Sequence, residues 1–267
     1  MQVIIFDNAE QVAEHAAQWV ADLVANKPSP VLGLATGSTP ISLYKKLVVK
    51  HQQGLSFNNV TSFNLDEYHN IDPENPQSYR RFMNDNLFNH VDIDIANTHL
   101  PTCTNQQNPR EQGLAYEAKI KSAGGIDLQI LGIGANGHIG FNEPTSSLVS
   151  KTRIKTLTQQ TISDNSRLFN ADEYQPDTAM TMGIGTIMES RYVLLMATGE
   201  NKADAVNEMI TGALSAMCPA SALQMHENAV VILDKAAASK LKDQDYYQWA
   251  DQQNAKLNAQ YGFYHNY

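Results

Sequence analysis

Six short, β-rich apolar runs recur along the chain at residues 3–6, 31–34, 60–65, 128–133, 192–197 and 230–233, most of them separated by stretches with helical spacing. Strand, helix and strand in that order close most readily as a parallel crossover, and runs apolar on both faces need cover above and below. The pattern therefore predicts an α/β fold: an open, mostly parallel sheet with helices on both faces. Between the first two runs Asn8 is placed to cap a helix. Gln11 stands at the capping-box position, and Val12, Ala16, Trp19, Val20 and Leu23 form its buried stripe. This helix should end near Asn26, ahead of Pro28 and Pro30. Further helices are expected over 40–52, 111–122, 179–190, 202–211 and 236–252. No repeat or low-complexity linker divides the 267 residues, and 42% hydrophobic residues suffice for a core, so 1–267 reads as a single domain.

Charge narrows the function. The chain has 19 Lys plus Arg against 28 Asp plus Glu, a formal charge of -9, with both signs interspersed and no run of five like charges. Nucleic-acid binding draws on a basic excess that is missing here, whereas one small anion needs only a few local cations. Residues 1–7 lack the basic region of a secretory signal, and no apolar run approaches the roughly 18 residues that span a bilayer. Cys103 and Cys218 lie far apart and match no CxxC spacing. The expectation is a cytoplasmic protein with reduced thiols, without structural zinc and without a membrane partner. Between 140 and 177, polar and basic residues including Lys151, Arg153, Lys155 and Arg167 replace clear amphipathic periodicity. A stretch of that length inside a compact domain is expected to be a mobile lid.

Four constellations could carry chemistry. In the first, the run ending at Leu34 enters Thr36-Gly37-Ser38-Thr39-Pro40. Pro40 suits the first position of a helix and Thr39 its N-cap, so free amides would face the crevice as a phosphate cradle. An ordinary capped turn explains the same residues, and neither a Walker A loop nor a GxGxxG turn is present. The second is Asp66-Glu67-Tyr68, where the third run stops. Carboxylates at strand ends face the ligand crevice of an open sheet, and desolvation would suit one of them to taking a proton from carbon beside a carbonyl. A helix cap is the alternative. The third, 131–144, places Asn136, His138 and Glu143 in and just beyond a glycine-rich loop after a strand, an imidazole with a carboxylate available to orient it. No second and third ligand at useful spacing makes it a zinc site. The fourth is a pair of cations, Arg167 and Lys202. A lysine at a helix start opposes the macrodipole unless an anion is present, although a solvated surface lysine would look the same in sequence.

Thr36-Gly37-Ser38-Thr39-Pro40, the 63–68 string, the 132–144 string, Thr152-Arg153-Ile154-Lys155-Thr156-Leu157 and Asn165-Ser166-Arg167, taken in order, resemble the glucosamine-6-phosphate deaminase family over all but the last thirty or so residues. The resemblance implies a Rossmann-like sheet and conversion of glucosamine 6-phosphate to fructose 6-phosphate and ammonia, with no metal or organic cofactor. It makes Asp66 the enolisation base and His138 the ring-opening group, supported by Glu143 and Asn136. It gives the phosphate to the Thr36, Gly37, Ser38 and Thr39 turn with Arg167 and Lys202. Some members carry aspartate where this chain has Asn136; an amide supplies no negative charge, so an orienting carboxylate here has to be Glu143 or another group. Some members are hexamers activated by N-acetylglucosamine 6-phosphate through residues matching Ser146, Arg153, Lys155 and Thr156. Monomers also occur, so the resemblance leaves homo-oligomer and monomer open.

Two rivals remain at this point. A 6-phosphogluconolactonase-like hydrolase shares the cradle and the histidine loop but needs no enolising carboxylate. A non-enzymatic sugar-phosphate sensor would need a basic DNA-reading appendage, which this acidic chain lacks.

Overall fold

The computed structural model describes residues 1–159, 162 and 175–261. Seven parallel strands form the central sheet: β1 (Gln2–Phe6), β2 (Val31–Leu34), β3 (Thr61–Asn64), β5 (Thr98–His99), β6 (Leu128–Leu131), β9 (Tyr192–Ala197) and β10 (Ala229–Asp234). Their spatial order is β1-β10-β9-β6-β2-β3-β5. From β2 the chain moves outward through β3 and β5, then returns to the other side of β2 as β6 and moves outward again through β9 and β10. The strand order thus reverses at β2 and β6, and a crevice opens there beyond the carboxyl ends of the strands.

Helices cover both faces, as the alternation predicts. On one face α1 (Ala9–Asn26) and α2 (Thr39–Gln52) bury Val12, Val20, Leu23, Leu43 and Leu47 against Leu32, Leu34, Leu128 and Ile130. On the other, Tyr116 of α4 (Pro109–Ser122), Ile187 of α5 (Ile184–Ile187) and Val206 and Met209 of α6 (Ala203–Thr211) pack with Phe63, Leu131, Val193 and Val231. The Asn8 side chain accepts from the Gln11 amide, and the Gln11 side chain reaches back to the Asp7 amide, closing the expected cap one residue early. Two further α-helices among the described residues are α3 (Tyr79–Asn86) and α7 (Gln244–Tyr261). Among the described residues, no helix is long and apolar enough to cross a membrane.

A second, antiparallel sheet sits over the crevice: β4 (Asp66–Tyr68), β8 (Thr178–Thr181) and β7 (Arg153–Thr156), in the order β4-β8-β7. It corrects the start of the helix expected over 179–190: residues 179–181 are strand, and only 184–187 of that span are α-helical. Ala179 and Met180 are apolar and fully buried, so periodicity cannot separate strand from helix there, and pairing of Met180 with both Glu67 and Ile154 decides for strand. The helix expected over 236–252 is also displaced. Asp234 accepts from the Ala237 amide and turns 236–243 under the core, burying Ala237, Ala238 and Leu241, so the helix starts at Gln244. Of the expected lid, 140–159, 162 and 175–177 are described, and β7 lies within that part; the rest, with Arg167, lies outside the described residues.

Candidate active site

Four neighbouring strands, β9, β6, β2 and β3, end at one cavity of about 380 Å3. Its lining includes Thr36, Gly37, Ser38 and Thr39 after β2, Asp66 after β3, Gly134 and His138 after β6, and Lys202 after β9. A larger groove of about 740 Å3 lies at α4, but Glu117 there is already engaged by Thr152, Thr186 and Lys151. It gathers no strand ends.

The cradle differs by one residue from its expected form. Helix α2 begins at Thr39, so Ser38 is the N-cap, without a side-chain capping bond, and Pro40 occupies the second helical position. Gly37 turns the chain at φ 100°, a left-handed conformation that glycine adopts without strain. The Tyr44 hydroxyl donates to the Ala35 carbonyl at 2.5 Å and pins the start of this turn. The free amides at the start of α2 therefore open on the cavity as a ready anion site.

Lys202 approaches from the other side, at the N-cap of α6. Its ammonium has no ion pair or hydrogen bond among the described residues, and burial pushes its pKa down. The backbone that carries it is fixed by Asp234, whose two carboxylate oxygens accept from the Gly199 amide at 3.0 and 3.1 Å. A half-buried cation beside two helix N-termini is an environment that calls for an anion.

Asp66 opens β4 and is 5% exposed. Burial first, and then the neighbouring charge of Glu67, raise its carboxyl from the ordinary 3.8 to about 8, against the opposing pull of the Phe141 amide and the Thr36 side chain. A carboxylate so placed is a strong base at mild pH. Glu67 points away from Asp66, to the opposite face of the strand, and accepts from the amides of Tyr79 and Arg80.

The imidazole is held by two partners. His138 Nδ1 lies 2.6 Å from Asn136 Oδ1 and 3.2 Å from Glu143 Oε2, while Asn136 Nδ2 donates to the same carboxylate oxygen at 2.8 Å. An ionised carboxylate only accepts, so it turns the Asn136 amide nitrogen toward itself and the amide oxygen toward His138. That oxygen also only accepts, so Nδ1 carries the proton and Nε2 of the neutral ring offers its lone pair. Gly134 makes room: a Cβ there would stand 2.2 to 2.5 Å from imidazole atoms.

The structure thus brings Asp66, His138, the 36–39 turn and Lys202 to one cavity, with Asn136 and Glu143 behind the histidine. The four residues matched to an activator site are more dispersed. Alternation along β7 sends Arg153 and Lys155 to one face and Thr156 to the other, while Ser146 is buried. Arg153 donates to Asn142 Oδ1 at 2.9 Å. Sequence reasoning missed Tyr79, which walls the cavity and stacks on Phe141 with ring centroids 5.9 Å apart. The available signal was Ser78 after Pro73 and Pro76, a start site for a helix too short to show periodicity. Among the described residues, no three His, Cys, Asp or Glu side chains are grouped to hold a metal ion.

A doubly covered parallel sheet with an anion cradle, an oriented imidazole and a buried carboxyl at its switch point defines an α/β protein of the kind that holds a small phosphorylated ligand. The sequence profile described as glucosamine-6-phosphate isomerases/6-phosphogluconolactonase matches residues 7–232, and the chain belongs to that family. It is 72% identical to a glucosamine-6-phosphate deaminase of Colwellia psychrerythraea, with 100% of both chains covered. It is 59% identical to one of Pseudoalteromonas translucida, with 99% of both covered. A solved structure of a monomeric glucosamine-6-phosphate deaminase is 42% identical and superposes with a TM-score of 0.86 over 90% of this chain and 99% of its own. A 6-phosphogluconolactonase from Leishmania guyanensis, at 18% identity and a TM-score of 0.71 over 90% of this chain and 98% of its own, shares the fold alone.

Proposed function

We propose that the chain converts glucosamine 6-phosphate and water to fructose 6-phosphate and ammonia, with Asp66 as the enolising base. The observation that carries this reading is the buried Asp66 carboxyl on the wall of a cavity that also holds a cradle for phosphate. The amides of the 36–39 turn and the Lys202 ammonium hold the phosphate, and the family resemblance assigns Arg167, outside the described residues, to the same group. This anchorage fixes the sugar carbons against the base, where binding energy becomes rate.

His138 Nε2 takes the proton of the C1 hydroxyl and delivers it to the ring oxygen as the bond from C1 to that oxygen breaks. The open-chain aldehyde makes the C2 hydrogen acidic. Asp66 removes that hydrogen as a proton while O1 takes a proton from solvent, giving an enolamine; Asp66 then returns its proton to C1, which leaves an iminium at C2. Addition of water to this iminium, with loss of ammonia and a proton, gives the ketose. Asn136 and Glu143 hold the imidazole in the required tautomer throughout, so the negative charge behind the amide comes from Glu143.

A cytoplasmic setting suits the two cysteines, Cys103 and Cys218, both buried and free. The lactonase alternative is separated by product. Ammonia and fructose 6-phosphate released from glucosamine 6-phosphate, without acceleration of 6-phosphogluconolactone hydrolysis, support the proposal, and the reverse pattern overturns it. Activation by N-acetylglucosamine 6-phosphate is a second reading, favoured by one contact. Arg153, in the set matched to an activator site, bonds Asn142, whose amide nitrogen donates to the carbonyls of Ile139 and Met182 beside the histidine loop. A ligand on Arg153 thereby has a route to His138.

A further inference from the structure

The 66–67 pair contains two buried carboxylates, and only Asp66 faces the cavity. Glu67 is 3% exposed, yet both of its oxygens accept hydrogen bonds. Oε1 accepts from the amides of Tyr68 at 2.9 Å and Tyr79 at 3.0 Å, and Oε2 accepts from the Arg80 amide at 2.9 Å. Tyr79 and Arg80 are the first two residues of α3, whose amides have no partner within the helix. Ser78 caps the next one, at Arg81. We infer that Glu67 is a positioning residue for the enolising base: it clamps the start of α3, which walls the cavity through Tyr79, and holds a second negative charge across β4 from the Asp66 carboxylate. The inference rests on Asp66 as that base.

Donors alone surround Glu67, an arrangement that favours the ionised form, because a carboxyl proton would turn an accepting oxygen into a donor among donors. Burial raises the Glu67 carboxyl on balance, and the three amides and the Arg80 guanidinium offset part of that rise. The other titratable or charged groups around the pair are Tyr68 on β4, Tyr79 and Arg80 on α3, Tyr116 on α4, Arg153 on β7, His138 and Lys202 at the cavity, and Glu143 behind the histidine. Among these described groups, Glu67 is the one whose charge raises Asp66. A glutamine at 67 retains an acceptor for two amides but loses the charge.

The test is the pH profile of kcat/KM on glucosamine 6-phosphate for wild type and Glu67→Gln. A charge behind the base predicts that the acid limb of Glu67→Gln moves to lower pH by on the order of one unit. A merely structural clamp would lower the plateau and leave the limb in place. An unmoved limb in folded Glu67→Gln overturns the inference. Should that variant not fold, carboxyl-carbon NMR of the wild-type protein decides: a Glu67 carboxyl ionised throughout the pH range in which Asp66 titrates supports the inference, and one protonated there overturns it. Asp66→Asn, measured beside them, separates the two levels: wild-type turnover in that variant defeats the assignment of the base itself, whatever the limbs do.

Discussion

At Asp66, catalysis and stability oppose each other. Its carboxyl titrates near 3.8 in an unfolded chain and at about 8 in the folded one. Between those values the folded state keeps a proton that the unfolded state has lost, so stability falls as pH rises through the interval. Asp66→Asn removes this dependence. Its melting temperature should match that of wild type near pH 4 and exceed it by several degrees above pH 8, and calorimetry showing the reverse order at high pH would refute the burial argument. The histidine loop gives a second residue-scale prediction. Gly134→Ala places a methyl group where the imidazole stands. Turnover should fall about a hundredfold with KM little changed, because general acid-base help is lost while the phosphate cradle is intact. Steady-state kinetics decide it. Glu143→Gln frees the Asn136 amide to flip and His138 to exchange tautomers, so a similar loss is expected there.

At the scale of elements, anchorage depends on the helices that start at the cavity. Lys202→Met removes a cation at the start of α6, and a charge-assisted bond of about 1.5 to 3 kcal/mol corresponds to a KM raised roughly ten- to a hundredfold. A KM within twofold of wild type would place the phosphate elsewhere. The elements that were legible in the sequence are those with their own pattern: the apolar strands, the amphipathic α1 and the glycine turns after β2 and β6. The elements that were not are those formed by long-range pairing. β4 is the polar tripeptide Asp66-Glu67-Tyr68, and β7 is Arg153-Ile154-Lys155-Thr156; each becomes a strand only because β8 lies between them. Helix α3 has eight residues, too few for a periodic signal, and owes its start to Glu67, twelve residues away. The site residues were legible because they follow strands. The Glu67 clamp and the Tyr79 wall were not, because both depend on α3.

For the whole molecule, the two sheets place the candidate chemistry between them: anion cradle and imidazole on the parallel sheet, base on the first strand of the antiparallel one. Asp66, Thr181 and Arg153 form one row across the small sheet. If this row and the Arg153–Asn142 contact transmit a signal, N-acetylglucosamine 6-phosphate should lower the KM for glucosamine 6-phosphate, and Arg153→Gln should abolish the effect. Saturation curves that stay hyperbolic and unmoved by the N-acetyl sugar remove that coupling while the catalytic assignment stands. The most direct test of that assignment is a coupled assay of fructose 6-phosphate formation by wild type and Asp66→Asn, with sugar-phosphate binding measured on the same samples. The account predicts that the variant binds glucosamine 6-phosphate as wild type does but turns it over about a thousandfold more slowly or worse; comparable turnover in the two proteins would contradict it.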